Sequence, residues 1–285
     1  MTASSGWEDG AVELDGVTVR YRSEGDGSPV VFVHGVYIGG SLWNAVAERL
    51  EGVRCIVPTW PLGAHRDPAP NADLGARATA RRIPAFLDAL DLRDVTLVGN
   101  DTGGGLCLAA LGTGHPGLDR IGRLVLTNCD SYEHFPPKGF DRIAALSRRV
   151  PPLVALMLRF FASGPGQRQF MKSVCADPPR GDDAAPLFEA FAVSQGARRD
   201  ALRVTQSLEP GVTLDAVPAL RAFAKPVLLA WGDADTLFPL DHARRLEADF
   251  PDARLEVIAG AKTYVMLDRP AELAAALQRF IEARR

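Results

Sequence analysis

The chain has 285 residues, 47% of them hydrophobic and 24% charged, with a formal net charge of -3, which fits one large core or a core carrying an insertion and gives no electrostatic reason to seek nucleic acid. No stretch approaches the ~20 apolar residues that span a bilayer, and the start at Met1 lacks the basic-then-apolar pattern of a secretory leader. Cys55, Cys107, Cys129 and Cys175 form no C-x-x-C pair and no disulfide scaffold, so a cytoplasmic protein with no membrane partner, no metal and no cofactor is expected.

The chain opens with two short strand patterns, residues 12–14 and 17–22, joined by the hairpin signal Asp15-Gly16. Residues 29–33 are a continuous apolar run ending at His34-Gly35, as in a strand of a parallel sheet buried on both faces. A helical stretch at 40–50, a strand at 53–58 and a Gly/Pro-rich loop at 61–70 follow. The helix expected over 74–90 places Ile83, Phe86, Leu87 and Leu90 on one face. Strand 95–98, helix 103–111 and strand 123–127 continue the alternation. It then stops: residues 132–214 are mostly helical, broken by Pro136-Pro137, Pro151-Pro152, Gly164-Pro165 and Pro178-Pro179. It resumes with strand 226–231, helix 240–250, strand 254–258 and a terminal helix at 270–284. This order predicts a doubly wound, mostly parallel α/β sheet, with residues 1–131 and 215–285 as the core and 132–214 as a helical lid over the strands' carboxyl ends.

Gly99-Asn-Asp-Thr-Gly103 lies between a strand and a helix. It fits the G-x-nucleophile-x-G elbow, with Asp101 at the centre and small residues flanking a tight turn. A lone Asp before a helix is more often a cap; the strand, the flanking glycines and His34-Gly35 favour the elbow. A carboxylate at this place is already an anion and can attack an sp3 carbon to form an alkyl ester, whose hydrolysis then needs a separate base. Backbone N–H groups of Val36 and Thr102 are placed for an oxyanion hole. Asp235, in Trp231-Gly-Asp-Ala-Asp235, follows a strand and is placed to orient a histidine; the bland alternative is a turn-forming Asp. His34 is expected to brace its loop beside the substrate pocket.

With these motifs in hand, the chain resembles the α/β-hydrolase superfamily over nearly its whole length, and most closely the branch of haloalkane dehalogenases and epoxide hydrolases that use an Asp nucleophile. The resemblance puts Asp101 on the nucleophile, Asp235 on the acid, Val36 and Thr102 on the oxyanion positions, and Thr263 where the catalytic histidine belongs. The loop Ala259-Gly-Ala-Lys-Thr263 contains no histidine. Among the five histidines, His134 at the lid's start is the first surrogate base and His65 the second; Lys262 would need a strongly lowered pKa. Other departures are Thr102, where dehalogenases of this kind usually carry a halide-binding Trp, and Val36, where a polar residue is usual. The lid is poor in the tyrosines that protonate an epoxide oxygen, leaving Tyr132 at its beginning as a pocket residue. Tyr264 is at the right end of the molecule but outside the lid.

Three functions fit. The first is a hydrolase-like enzyme on a small, mostly apolar substrate, with Asp101 as nucleophile. The second is an isomerase, lyase or cyclase with Asp101 as general base, which needs no histidine. The third is a non-catalytic binder of a small molecule on a hydrolase scaffold. Oligomeric state is not written in the sequence.

Overall fold

Asp15 and Gly16 take positive φ values of 50° and 75°, the backbone that a two-residue hairpin requires. They join strand β1 (Glu8–Leu14) to β2 (Val17–Glu24) antiparallel, with Leu14 facing Val17. The computed structural model describes residues 6–179 and 183–283. The start of the chain and Arg284, the expected end of the last helix, lie outside the described residues.

Six further strands complete an eight-stranded sheet: β3 (Ser28–Val33), β4 (Val53–Thr59), β5 (Val95–Asp101), β6 (Ile121–Cys129), β7 (Val227–Gly232) and β8 (Ala253–Ile258). Their order is β1-β2-β4-β3-β5-β6-β7-β8, and every pair beyond β2–β4 is parallel. Central strands must be apolar on both faces, and Val30 to Val33, Leu97, Val98 and Leu124 to Leu126 are fully buried. From β3 the chain crosses to one side to form β4 and to the other to form β5. The crevice at the carboxyl ends of β3 and β5 is therefore the switch point of the sheet, where open α/β sheets bind ligands.

Helices Ala76–Ala89, Thr102–Leu111, Leu240–Asp249 and Pro270–Glu282 flank the sheet. Between β6 and β7 lies the helical insertion: Phe140–Arg149, Pro151–Phe161, Gly164–Val174, Ala185–Val193 and Gln195–Ser207. It is fastened to the core by buried polar contacts. Asp200 of the last of these helices accepts from the Ala69 N–H at 2.8 Å and lies 3.1 Å from His65 Nε2. Helix Pro151–Phe161 buries Val154 and Leu158, while Leu153, Leu156 and Phe160 are exposed. No helix among the described residues is long and apolar enough to cross a membrane.

Candidate active site

Asp101 ends β5 with φ 52° and ψ -136°, a backbone that non-glycine residues rarely adopt. Its neighbours must be small for the turn to close. A Cβ on Gly103 would collide with the carbonyl of His34, and one on Gly35 would collide with the Asp101 carboxylate itself. The turn thus presses the Asp101 side chain against the His34-Gly35 loop at the carboxyl end of β3.

Asp101 is only 7% exposed. Burial pushes its pKa up to about 7; the Thr102 backbone N–H opposes that rise, and the charge of Asp235 adds to it. The carboxyl faces a narrow cleft walled by Val36, Thr102, Pro136, Phe140, Phe170, Val174, Leu208 and Leu237 among others. It has room for about one water. Its apolar walls suit a hydrocarbon rather than a charged ligand.

Behind Asp101 a buried polar network ties the carboxyl ends of β5, β6, β7 and β8 together. Asn100 Nδ2 lies 2.9 Å from Thr127 Oγ1 and 2.8 Å from the Thr263 carbonyl. Asn128 Nδ2 donates to Asp235 Oδ2 at 2.9 Å, and Asn128 Oδ1 accepts from Gly232 N at 2.7 Å. Asp235 Oδ2 also accepts from the Thr263 hydroxyl at 3.0 Å, and Oδ1 from the Leu237 N–H at 2.8 Å. Asp235 is thus a fully engaged acceptor whose pKa burial still raises. The side chain it holds is a threonine, which is no base near neutral pH.

Residues 28–270 match the α/β hydrolase fold family. The chain belongs to the α/β-hydrolase family. Haloalkane dehalogenase 2 of Mycobacterium tuberculosis is 28% identical over 276 residues, spanning 91% of this chain and 90% of that protein. A hydrolase of 2-hydroxy-6-oxononadienedioate from Paraburkholderia xenovorans is also 28% identical, over 264 residues, covering 87% of this chain and 85% of that protein. The crystal structure of a haloalkane dehalogenase from Agrobacterium tumefaciens C58 superposes with a TM-score of 0.83 at 20% identity, covering 99% of this chain and 98% of that one.

This α/β-hydrolase gathers Asp101, Val36 and Thr102 at one cavity and links Asp235 to Thr263 behind it. Several residues expected from the sequence lie elsewhere. His34 is fully buried and lines no part of the cavity: Nδ1 lies 2.8 Å from the Gly35 carbonyl, Nε2 accepts from the Trp60 N–H at 2.8 Å, and burial lowers its pKa to about 4. It is a neutral brace for the loop. Tyr132 turns away from the cavity, because its hydroxyl donates to Asp249 at 2.7 Å and Arg245 stacks over its ring at 3.7 Å. His134 is half-exposed and stacks on His242 at 4.3 Å, outside the cavity wall, so it is not positioned as a surrogate base. His65 spends Nε2 on Asp200 and accepts from the Gly63 N–H on Nδ1.

Two groups that the sequence did not single out as site residues come close to Asp101 instead. Asp130, just past β6, is fully buried, and neither carboxyl oxygen has a hydrogen-bond partner in the structure. Tyr264 is fully buried with its hydroxyl also unpartnered, and its ring packs 6.2 Å from Phe170 of the cavity wall. The charge of Asp101 reaches both of them. The available signal was positional: Asp130 sits at the carboxyl end of the strand next to β5, where sites of this fold collect. Among the described residues no cluster of His, Cys, Asp and Glu could hold a metal ion.

Proposed function

We propose that this protein is a hydrolase-like enzyme for a small, mostly apolar molecule, with Asp101 as the nucleophile. The observation that carries this reading is Asp101 itself: a carboxyl held on a strained elbow, facing an apolar cavity beside Val36 and Thr102. Attack on an sp3 carbon forms an ester to Asp101 and expels the leaving group with the electron pair of the broken bond. The next step is where this chain departs from the common pattern. Thr263 stands on Asp235 in place of a histidine, so hydrolysis of the ester is expected to be slow. Support for the substrate class comes from the cavity walls and from the haloalkane dehalogenases among the relatives.

The experiment is intact-mass analysis after incubation with alkyl bromides, epoxides and activated esters, with Asp101→Asn as control. A persistent adduct that disappears in the control is the expected result. No adduct and no product across the panel would remove the nucleophile reading.

A second reading has one specific observation in its favour. With a pKa near 7, Asp101 is half-protonated at neutral pH, which suits a general base for an isomerisation or elimination with no ester intermediate. Such chemistry would give product without any adduct.

A further inference from the structure

We infer that Asp130 is the proton-bearing partner of Asp101: the two buried carboxyls form a pair with one proton, which resides on Asp130 and leaves the charge on Asp101. The inference deepens the nucleophile reading above and its catalytic use rests on it, although the pair itself would exist whatever chemistry Asp101 performs.

The geometry assigns the two roles. β5 and β6 run parallel, Asp101 is paired with Cys129, and the Asp130 N–H reaches the Asp101 carbonyl at 3.4 Å. The two side chains therefore leave neighbouring strand ends. Two unscreened carboxylates in one buried site cannot both ionise readily, so one keeps its proton. Asp101 has the better claim to the charge. It is slightly exposed, at the N-terminus of helix Thr102–Leu111, and faces the Thr102 backbone N–H. Asp130 is fully buried between Phe135 and the start of that helix, where the Thr102 side chain is the group beside it that favours its charged form. A neutral carboxylic acid is far less costly than a carboxylate in such a place.

The surrounding titratable groups agree with this arrangement. Asp101 interacts electrostatically with Asp235, Tyr37, Tyr264, Cys129 and Asp130, none of which supplies a positive charge. Asp130 is faced by Asp101 and Cys129, with the Thr102 side chain as the only group favouring its ionised form. Asp130 is thus a positioning residue: it stores a proton beside the reacting carboxylate, in a site where no histidine holds one, and so sets the protonation state in which Asp101 reacts.

The test reads the carboxyl protons directly, by the infrared C=O stretch of protonated carboxyl groups as pH is raised. In the unmodified protein one buried carboxyl should keep its proton at pH 8, and that band should be absent in Asp130→Asn. In Asp101→Asn the charge that opposes Asp130 ionisation is gone. The band should then disappear at a pH lower by at least about one unit, the strength at which two sites count as coupled. The second variant keeps the test decisive if Asp130→Asn does not fold. A band that survives in Asp130→Asn, the absence of any such band at pH 8, or an unmoved band in Asp101→Asn would each overturn the pair. Failure of the pair is separate from failure of the nucleophile: an Asp101 adduct without the band leaves nucleophilic attack standing, and the band without an adduct leaves the pair standing.

Discussion

Asp101 carries opposed demands, and its titration exposes them. Folding raises its pKa from the ordinary 3.8 of an aspartate to about 7, chiefly by burial. For a carboxyl raised on folding, the unfolded chain releases the proton first as pH rises. The stability associated with Asp101 is therefore complete below about pH 4 and is lost as pH climbs through 7. Asp101→Asn removes the penalty of burying the charge. The variant should gain on the unmodified protein between pH 5 and pH 8, with a difference of order 4 kcal/mol at the upper end, measured by urea unfolding at both pH values. An equal effect at both would mean that the carboxyl does not titrate in this window. Reactivity should follow the same ionisation with the opposite benefit. On the proposed mechanism the carboxylate is the attacking form, so the rate of adduct formation should rise about tenfold per pH unit below 7 and level off above it. A rate that falls through pH 7 would point to a protonated Asp101 as the working form.

Loops at the carboxyl ends of β5, β6, β7 and β8 meet behind the cavity, and Thr263 is where their design can be altered. Its hydroxyl reaches Asp235 at 3.0 Å, the carboxylate that would orient a histidine. Thr263→His should give the ester a base: an adduct stable in the unmodified protein should turn over, with its lifetime shortened by about 10²-fold or more. Time-resolved intact mass would read this, and an adduct of unchanged lifetime would show that the imidazole is not aimed at Asp101. The vacancy at 263 was visible in the sequence because the strand pattern placed the loop and the loop held no histidine. The alternation of strands and helices was legible for the same reason: buried parallel strands need unbroken apolar runs, and residues 29–33 and 226–231 supply them. Side-chain direction after β6 was not legible. Tyr132 takes φ 52° and turns toward Asp249, and His134 goes outward with it, while Asp130 stays inside. Three polar residues lie within five positions, and contacts distant in sequence, with helix Leu240–Asp249 and with Thr213, turn Tyr132 outward.

At the scale of the whole molecule, the site is closed by the helical insertion, so access depends on how tightly that insertion seats on the sheet. The narrow cleft has Asp101 and Thr102 from the core on one side, and Phe140, Phe170 and Val174 from the insertion on the other. Phe170 from the insertion is packed against Phe161, Phe188 and Tyr264 at 6.3, 5.9 and 6.2 Å between ring centroids. A substrate larger than a few heavy atoms must displace this wall or wait for the insertion to open. Phe170→Ala should therefore cost about 3–5 kcal/mol of stability, as for other buried aromatic truncations. It should also accelerate adduct formation with a bulky alkyl bromide by about tenfold or more, while the smallest alkyl bromides change far less. If both substrates accelerate alike, opening of the insertion limits the reaction and Phe170 only helps to hold it shut. If neither does, entry is not limiting and the chemistry at Asp101 sets the rate. Either deviation can be told from simple unfolding, because the same sample gives its stability by urea titration and its reactivity by mass.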